Sequence, residues 1–205
     1  MWVKICGVRS IEAAQQAEAA GADAIGLNFH PPSPRAVTVE NARAIQAAIS
    51  IPAYLVVVDH PLSELRELLR LTKAHGVQFH GDTSREEAES LGWPYLRAFR
   101  AHPKILAELE SWGMDPVLLD AFHPDLHGGT GKRVDVHLAQ KACRLRPIIL
   151  AGGLTPENLT ETLQEIPAWG VDVASGVEGP DGKQDLDRIR AFCDAAKRAT
   201  TLDSK

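Results

Sequence analysis

Eight short apolar runs recur along the 205-residue chain, one about every 25 residues, and each is followed by a stretch with helical periodicity. No other feature narrows the possible folds so far. Strands that alternate with helices pair in parallel, because each helix carries the chain back to the end where the previous strand began. The runs are 2–7, 24–29, 53–58, 76–81, 95–99, 116–121, 147–153 and 170–176. The helical stretches are 11–20, 39–50, 62–74, one opened by Ser84 and Glu87, 104–112, 135–144, one opened by Thr155 and Pro156, and 186–198. Ser10, Thr38 and Ser84 are N-cap residues, and Gly21 stands where a helix C-terminus takes a glycine. Eight units without a linker predict one closed (β/α)8 TIM barrel over 1–199, with a frayed polar tail over 200–205. The runner-up is an open, doubly wound sheet. That fold calls for a Gly-x-Gly-x-x-Gly turn after the first strand, which this chain lacks.

Composition excludes several classes of function. A net charge of −5 with scattered charges does not suit a nucleic-acid or membrane-surface binder. Cys6, Cys143 and Cys193 are odd in number and far apart, which argues against a disulfide framework or thiolate zinc site and for a reducing compartment. The chain enters a strand almost at once, without the basic and apolar regions of a signal peptide, and no apolar run reaches membrane-spanning length. These features predict a cytoplasmic globular protein.

In a barrel of this kind the site forms at the C-terminal ends of the strands. Here those ends carry Cys6, Asn28, His80, Asp120, Gly152-Gly153 and Ser175-Gly176. The first run is an ordinary core strand with an inert thiol, or something more specific. Strand alternation puts Lys4 and Cys6 on one face, and a cation beside a thiol favours its ionised form. Glycines after the seventh and eighth strands let backbone amides approach a phosphate, and a short helix starting near Ser175 would add its dipole. Cys6 and Asp120 suit a base and an acid acting on two ends of one small substrate. His80 and His123 are alternative partners for a nucleophilic Cys6, so covalent chemistry stays open. Arg35, after three prolines, is a stiffened guanidinium able to hold a carboxylate bidentately. His123 and His127, with Asp120 and Asp125 nearby, imitate a metal face, but Pro124 and Gly128-Gly129 make the segment a loop, so no metal site is expected. The four tryptophans, Trp2, Trp93, Trp112 and Trp169, read as packing residues at element ends.

Seven motifs then occur in a familiar order. They are Lys4-Ile5-Cys6-Gly7, Gly21-Ala22-Asp23-Ala24-Ile25-Gly26 with Ser33-Pro34-Arg35, Val77-Gln78-Phe79-His80-Gly81, Leu119-Asp120, Gly128-Gly129-Thr130-Gly131, Ala151-Gly152-Gly153-Leu154 and Asp172-Val173-Ala174-Ser175-Gly176-Val177-Glu178. Together they resemble the phosphoribosylanthranilate isomerase family over nearly the whole chain. The resemblance implies an Amadori rearrangement in tryptophan biosynthesis, with Asp120 as general acid, Cys6 as general base and no cofactor. It implies that Arg35, Gln78, His80 and Asp172 contact the substrate, and that Gly152, Gly153, Ala174, Ser175 and Gly176 hold its phosphate. Lys4 would tune the Cys6 thiol or pair with a carboxylate inside the barrel. The partner is a small phosphoribosyl-anthranilate, met by a monomer or homodimer, without nucleic acid or membrane. Ala174 departs from the serine common in the family, which shifts phosphate binding onto amides and Ser175. Strand three reads Leu55-Val56-Val57-Val58-Asp59, and Val134-Asp135-Val136 replaces the family's Phe-Asp-Trp. Two alternatives are a related phosphosugar isomerase, such as the histidine-pathway aminoimidazole isomerase with its pair of aspartates, and a catalytically silent phosphate-binding barrel.

Overall fold

The computed structural model describes residues 1–113, 116–120 and 136–202. Its eight strands are β1 (Trp2–Ile5), β2 (Ala24–Asn28), β3 (Ala53–Val58), β4 (Gly76–His80), β5 (Tyr95–Arg100), β6 (Val117–Asp120), β7 (Ile148–Ala151) and β8 (Gly170–Val173). Each pairs in parallel with its neighbours, and β1 closes on β8, so the sheet is a barrel in sequence order. The helices are α1 (Ile11–Ala19), α2 (Val39–Ala47), α3 (Leu62–Thr72), α4 (Arg85–Ser90), α5 (Ile105–Trp112), α6 (Val136–Leu145), α7 (Leu159–Glu165) and α8 (Leu186–Leu202). None of them is long and apolar enough to cross a membrane.

Local chemistry sets several helix starts. Ser10 Oγ accepts from the Ala13 amide at 3.1 Å, and Thr38 Oγ1 from the Asn41 amide at 3.1 Å. Ser84 and Glu87 form a reciprocal capping box that satisfies two orphan amides of α4. Gly21 takes the left-handed conformation expected just past α1. Thr155 and Asn158 exchange side-chain and backbone hydrogen bonds as a cap and the Leu159 amide bonds the Thr155 carbonyl at 3.1 Å, so the turn opens at Thr155 while the regular helix is counted from Leu159. The eighth strand stops at Val173 instead of running to 176, and Ser175–Val177 forms a short 3-10 turn. At the other end of the chain, α8 continues to Leu202.

Side-chain alternation sorts the strands into two cores. Val3, Ile5, Ile25, Leu27, Val77, Leu119, Leu150 and Val171 point outward into a large layer shared with the helices. Leu96, Ala98, Leu118, Ile149 and Ala151 form a smaller cluster inside the barrel, against Trp2 and Tyr54. Each fully buried aliphatic side chain in these layers is worth about 1.5–3 kcal/mol of transfer free energy. Trp2 stacks on Trp169, and Phe99 meets Trp112 edge to face. Above the inner apolar cluster the barrel turns polar: Lys4, Gln78 and Asp172 are all buried there. Burying such groups is tolerated only when they are paired or serve a ligand.

Candidate active site

The closed strand order sharpens the relation between Cys6 and Asp120. β1 and β6 are not diametrically opposed. On the short arc between them lie only β8 and β7, whose loops carry the two glycine clusters. The thiol at the end of β1 and the carboxyl at the end of β6 therefore flank the expected phosphate loops.

Those loops are built to present amides. Gly152 and Gly153 have φ of 96° and 67°, a left-handed pair that side chains resist. Asn158 Nδ2 donates to the Gly153 carbonyl at 2.9 Å. Arg188 donates from Nε and Nη2 to the Gly176 carbonyl at 3.1 and 3.0 Å, and its Nη1 reaches Glu157 at 3.0 Å. One guanidinium thus ties the β7 loop to the β8 loop. A Cβ on Gly176 would run into the Leu154 carbonyl, so only glycine lets the two loops touch. With these carbonyls turned to their donors, the amides of Gly152, Gly153, Ser175 and Gly176 meet no acceptor among the described residues. Ala174 precedes the 3-10 turn and offers no hydroxyl, which leaves Ser175 as the side-chain donor.

Lys4 resolves as a paired residue. Its ammonium is fully buried and donates to Asp172 Oδ1 at 2.7 Å, across the β1–β8 register that sets the two residues side by side. The same ammonium also acts on Cys6. A lowered thiol pKa is nevertheless not the result. Burial pushes the Cys6 thiol up, the Asp172 carboxylate adds to the rise, and Lys4 pulls the other way without cancelling them. Burial also raises Asp172 itself, with the nearby charge of Asp120 acting in the same direction and Lys4 against both. Cys143 and Cys193 are pushed up by burial to about 11, which suits inert packing thiols, and all three cysteines are free.

Arg35 holds a carboxylate bidentately, but the carboxylate is the protein's own. Nε and Nη2 donate to Glu178 Oε1 and Oε2, each at 2.7 Å. Two of the five guanidinium donors are used, and Nη1 and one Nη2 hydrogen meet no acceptor among the described residues. Glu178 was not expected in this role. The signal for it is a carboxylate two residues past an expected anion loop, a position that requires a cation partner.

His80 does not partner Cys6. Its Nε2 lies 2.9 Å from Gln78 Nε2, an arrangement in which the amide donates and the ring carries its proton on Nδ1. Burial and the charges of Lys4, Arg97, Arg100 and His30 hold its pKa down at about 4, so the ring is neutral at ordinary pH. Gln78 Oε1 is buried with no partner among the described residues. Asn28 has a local duty: its Oδ1 accepts from the His30 amide at 2.8 Å and shapes the β2 loop.

Arg100 was overlooked. It follows Leu96 and Ala98 on the inward face of β5, pairs in register with Asp120 and lies exposed at the rim. Plain strand alternation would have found it. His123, Asp125, His127 and the Gly128-Gly129-Thr130-Gly131 loop lie outside the described residues. Among the described residues no cluster of three metal-ligating side chains occurs.

Similarity of sequence and of fold points to one family. The family described as N-(5'phosphoribosyl)anthranilate (PRA) isomerase matches residues 3–195. An N-(5'-phosphoribosyl)anthranilate isomerase of Cellvibrio japonicus is 40% identical over 211 residues, covering 99% of this chain and 97% of the relative. The crystal structure of phosphoribosyl anthranilate isomerase from Thermotoga maritima superposes with a TM-score of 0.87 at 31% identity, over 97% of this chain and 99% of that one. A crystal structure of the isomerase in complex with reduced 1-(o-carboxyphenylamino)-1-deoxyribulose 5-phosphate gives a TM-score of 0.84 at 29% identity, over 97% and 99%.

Proposed function

The chain belongs to the N-(5'-phosphoribosyl)anthranilate isomerase family, and on that premise we propose that it converts N-(5-phosphoribosyl)anthranilate to 1-(2-carboxyphenylamino)-1-deoxyribulose 5-phosphate in tryptophan biosynthesis. The observation that carries this reading is the short arc of the barrel mouth. Cys6 and Asp120 stand at its two ends, and four amides that meet no acceptor among the described residues lie between them.

The substrate's two anionic ends fit two different devices. Its phosphate takes the amides of Gly152, Gly153, Ser175 and Gly176, with Ala174 contributing backbone only. Its carboxylate takes the donors of Arg35 that Glu178 leaves open, so Glu178 orients the guanidinium instead of competing for it. Asp120 protonates the ribose ring oxygen and opens the ring to an iminium. Cys6, as thiolate, takes the C2′ proton. The enolamine then tautomerises to the ketone as C1′ gains a proton and the C2′ hydroxyl loses one. The net proton change is zero, and the nitrogen of the substrate supplies the electron sink. Neutral His80 and Gln78 give one donor and one acceptor at the mouth, and Asp172 accepts from a sugar hydroxyl. The enzyme works on this small molecule in the cytoplasm, as a monomer or homodimer, without nucleic acid, membrane or cofactor.

The test is direct. Phosphoribosylanthranilate is supplied to the purified chain and loss of its anthranilate fluorescence is followed against the spontaneous rate. Acceleration is expected; a rate equal to the spontaneous one sinks the reading.

A further inference from the structure

A base that must take a proton from carbon has to be a thiolate, yet Cys6 sits where burial favours the thiol. Three observations bear on how the site manages this. Lys4 is buried completely and bonds Asp172 at 2.7 Å. Its ammonium does not stop at that pair, because Nζ and the Cys6 sulfur close together over Gly26. A Cβ on Gly26 would lie 2.8 Å from Sγ and 3.1 Å from Nζ. The space left by that missing methyl lets one cation serve a carboxylate and a thiol at once. A purely structural ion pair would leave the thiol outside its reach.

We propose that Cys6, Lys4 and Asp172 form one charge-coupled triad, in which Lys4 promotes ionisation of the Cys6 thiol and Asp172 restrains it. Within the triad only Cys6 exchanges a proton with the substrate; Lys4 and Asp172 act on that transfer through Cys6, and Asp172 keeps its contact to the sugar hydroxyl. The inference rests on the base role given to Cys6 above.

The neighbours of the triad come from every side. Arg35 on the β2 loop faces Cys6. Tyr54 on β3 and His80 on β4 feel the charge of Lys4. Asp120 on β6 acts on Asp172. His80 is neutral above about pH 4, so its own charge does not vary across the range in which a thiol titrates. When Cys6 ionises, the S–H proton leaves to water and no other bond changes. Lys4 keeps its charge against both anions.

The two partners therefore act on the thiol with opposite signs, and variants separate them. The readout is the pH dependence of iodoacetamide alkylation of Cys6, followed on its own peptide by mass spectrometry in the full chain. Asp172→Asn is expected to lower the apparent thiol pKa by about one unit or more, the shift typical of a charge a few ångströms away. Lys4→Met leaves Asp172 buried without its cation and risks the fold, so the informative partner is the neutral pair Lys4→Met/Asp172→Asn. That double variant is expected to titrate about one unit or more above Asp172→Asn, since the two differ only in the ammonium. The acid limb of the kcat/KM profile should move with the thiol, to lower pH in Asp172→Asn. An unchanged or raised pKa in Asp172→Asn, or identical titrations of the single and double variants, overturns the proposal. Alkylation needs no turnover, so this outcome is independent of the fluorescence assay that tests the isomerase reading.

Discussion

At the residue scale the site is an economy of shared charges. One ammonium faces a thiol and a carboxylate, and one guanidinium gives two of its five donors to Glu178. Each sharing lowers the cost of burying charge and leaves a group directed at the mouth. Cys6 and Asp120 are the residues on which the proposed chemistry depends most. Cys6→Ala and Asp120→Asn should each cut kcat by about 10² or more, the usual worth of a positioned acid or base, with the circular dichroism of the fold unchanged. A Cys6→Ala variant with nearly full activity would mean that another group takes the C2′ proton. The tuning of Cys6 shows what strand alternation can and cannot reveal. That Lys4 and Cys6 share a face follows from a period of two residues. The sign of the net shift does not, because desolvation and the carboxylate of Asp172 outweigh the ammonium, and neither is visible from position along the chain.

At the element scale the proposed phosphate loops depend on contact between two turns from different strands. Gly176 packs on the Leu154 carbonyl, and Arg188 of α8 reaches both Glu157 and the Gly176 carbonyl. Gly176→Ala should push the β8 loop away from the β7 loop. The expected result is a rise in KM for the phosphorylated substrate of roughly tenfold or more, about the worth of one charge-assisted hydrogen bond. Steady-state kinetics and a thermal melt would separate misplacement from unfolding, and an unchanged KM would show that the amides do not hold the phosphate. Capping patterns were legible before any coordinates, because a Ser or Thr side chain reaches an amide only three residues away. The delayed start of α7 was less so. The pattern at Thr155 is a correct cap signal, which Asn158 completes, but three further residues pass before the regular helix begins at Leu159.

At the scale of the whole molecule the barrel gathers its buried charges on one side of an apolar plug, and folding has to accommodate them. His80 makes this measurable. Its pKa is held down near 4 in the folded chain, while an unfolded histidine binds its proton near 6.5. Between those values the unfolded state carries more protons, so stability falls as pH drops from about 6.5 to about 4 and flattens below. Chemical denaturation across that window should show the loss, and His80→Gln should reduce it. An identical pH slope in the variant would mean that other groups carry it. Eight alternating units, their parallel pairing and the polar residues at the strand ends were open to direct reading from the chain, because each depends on a short period of hydrophobicity or on neighbours a few residues off. Closure into a barrel brought Lys4 to Asp172 across 168 residues and Arg35 to Glu178 across 143. Those partnerships, the net rise of the Cys6 pKa and the short arc that sets β7 and β8 between Cys6 and Asp120 belong to the tertiary structure alone. Burial and through-space charge act between residues that no local pattern links.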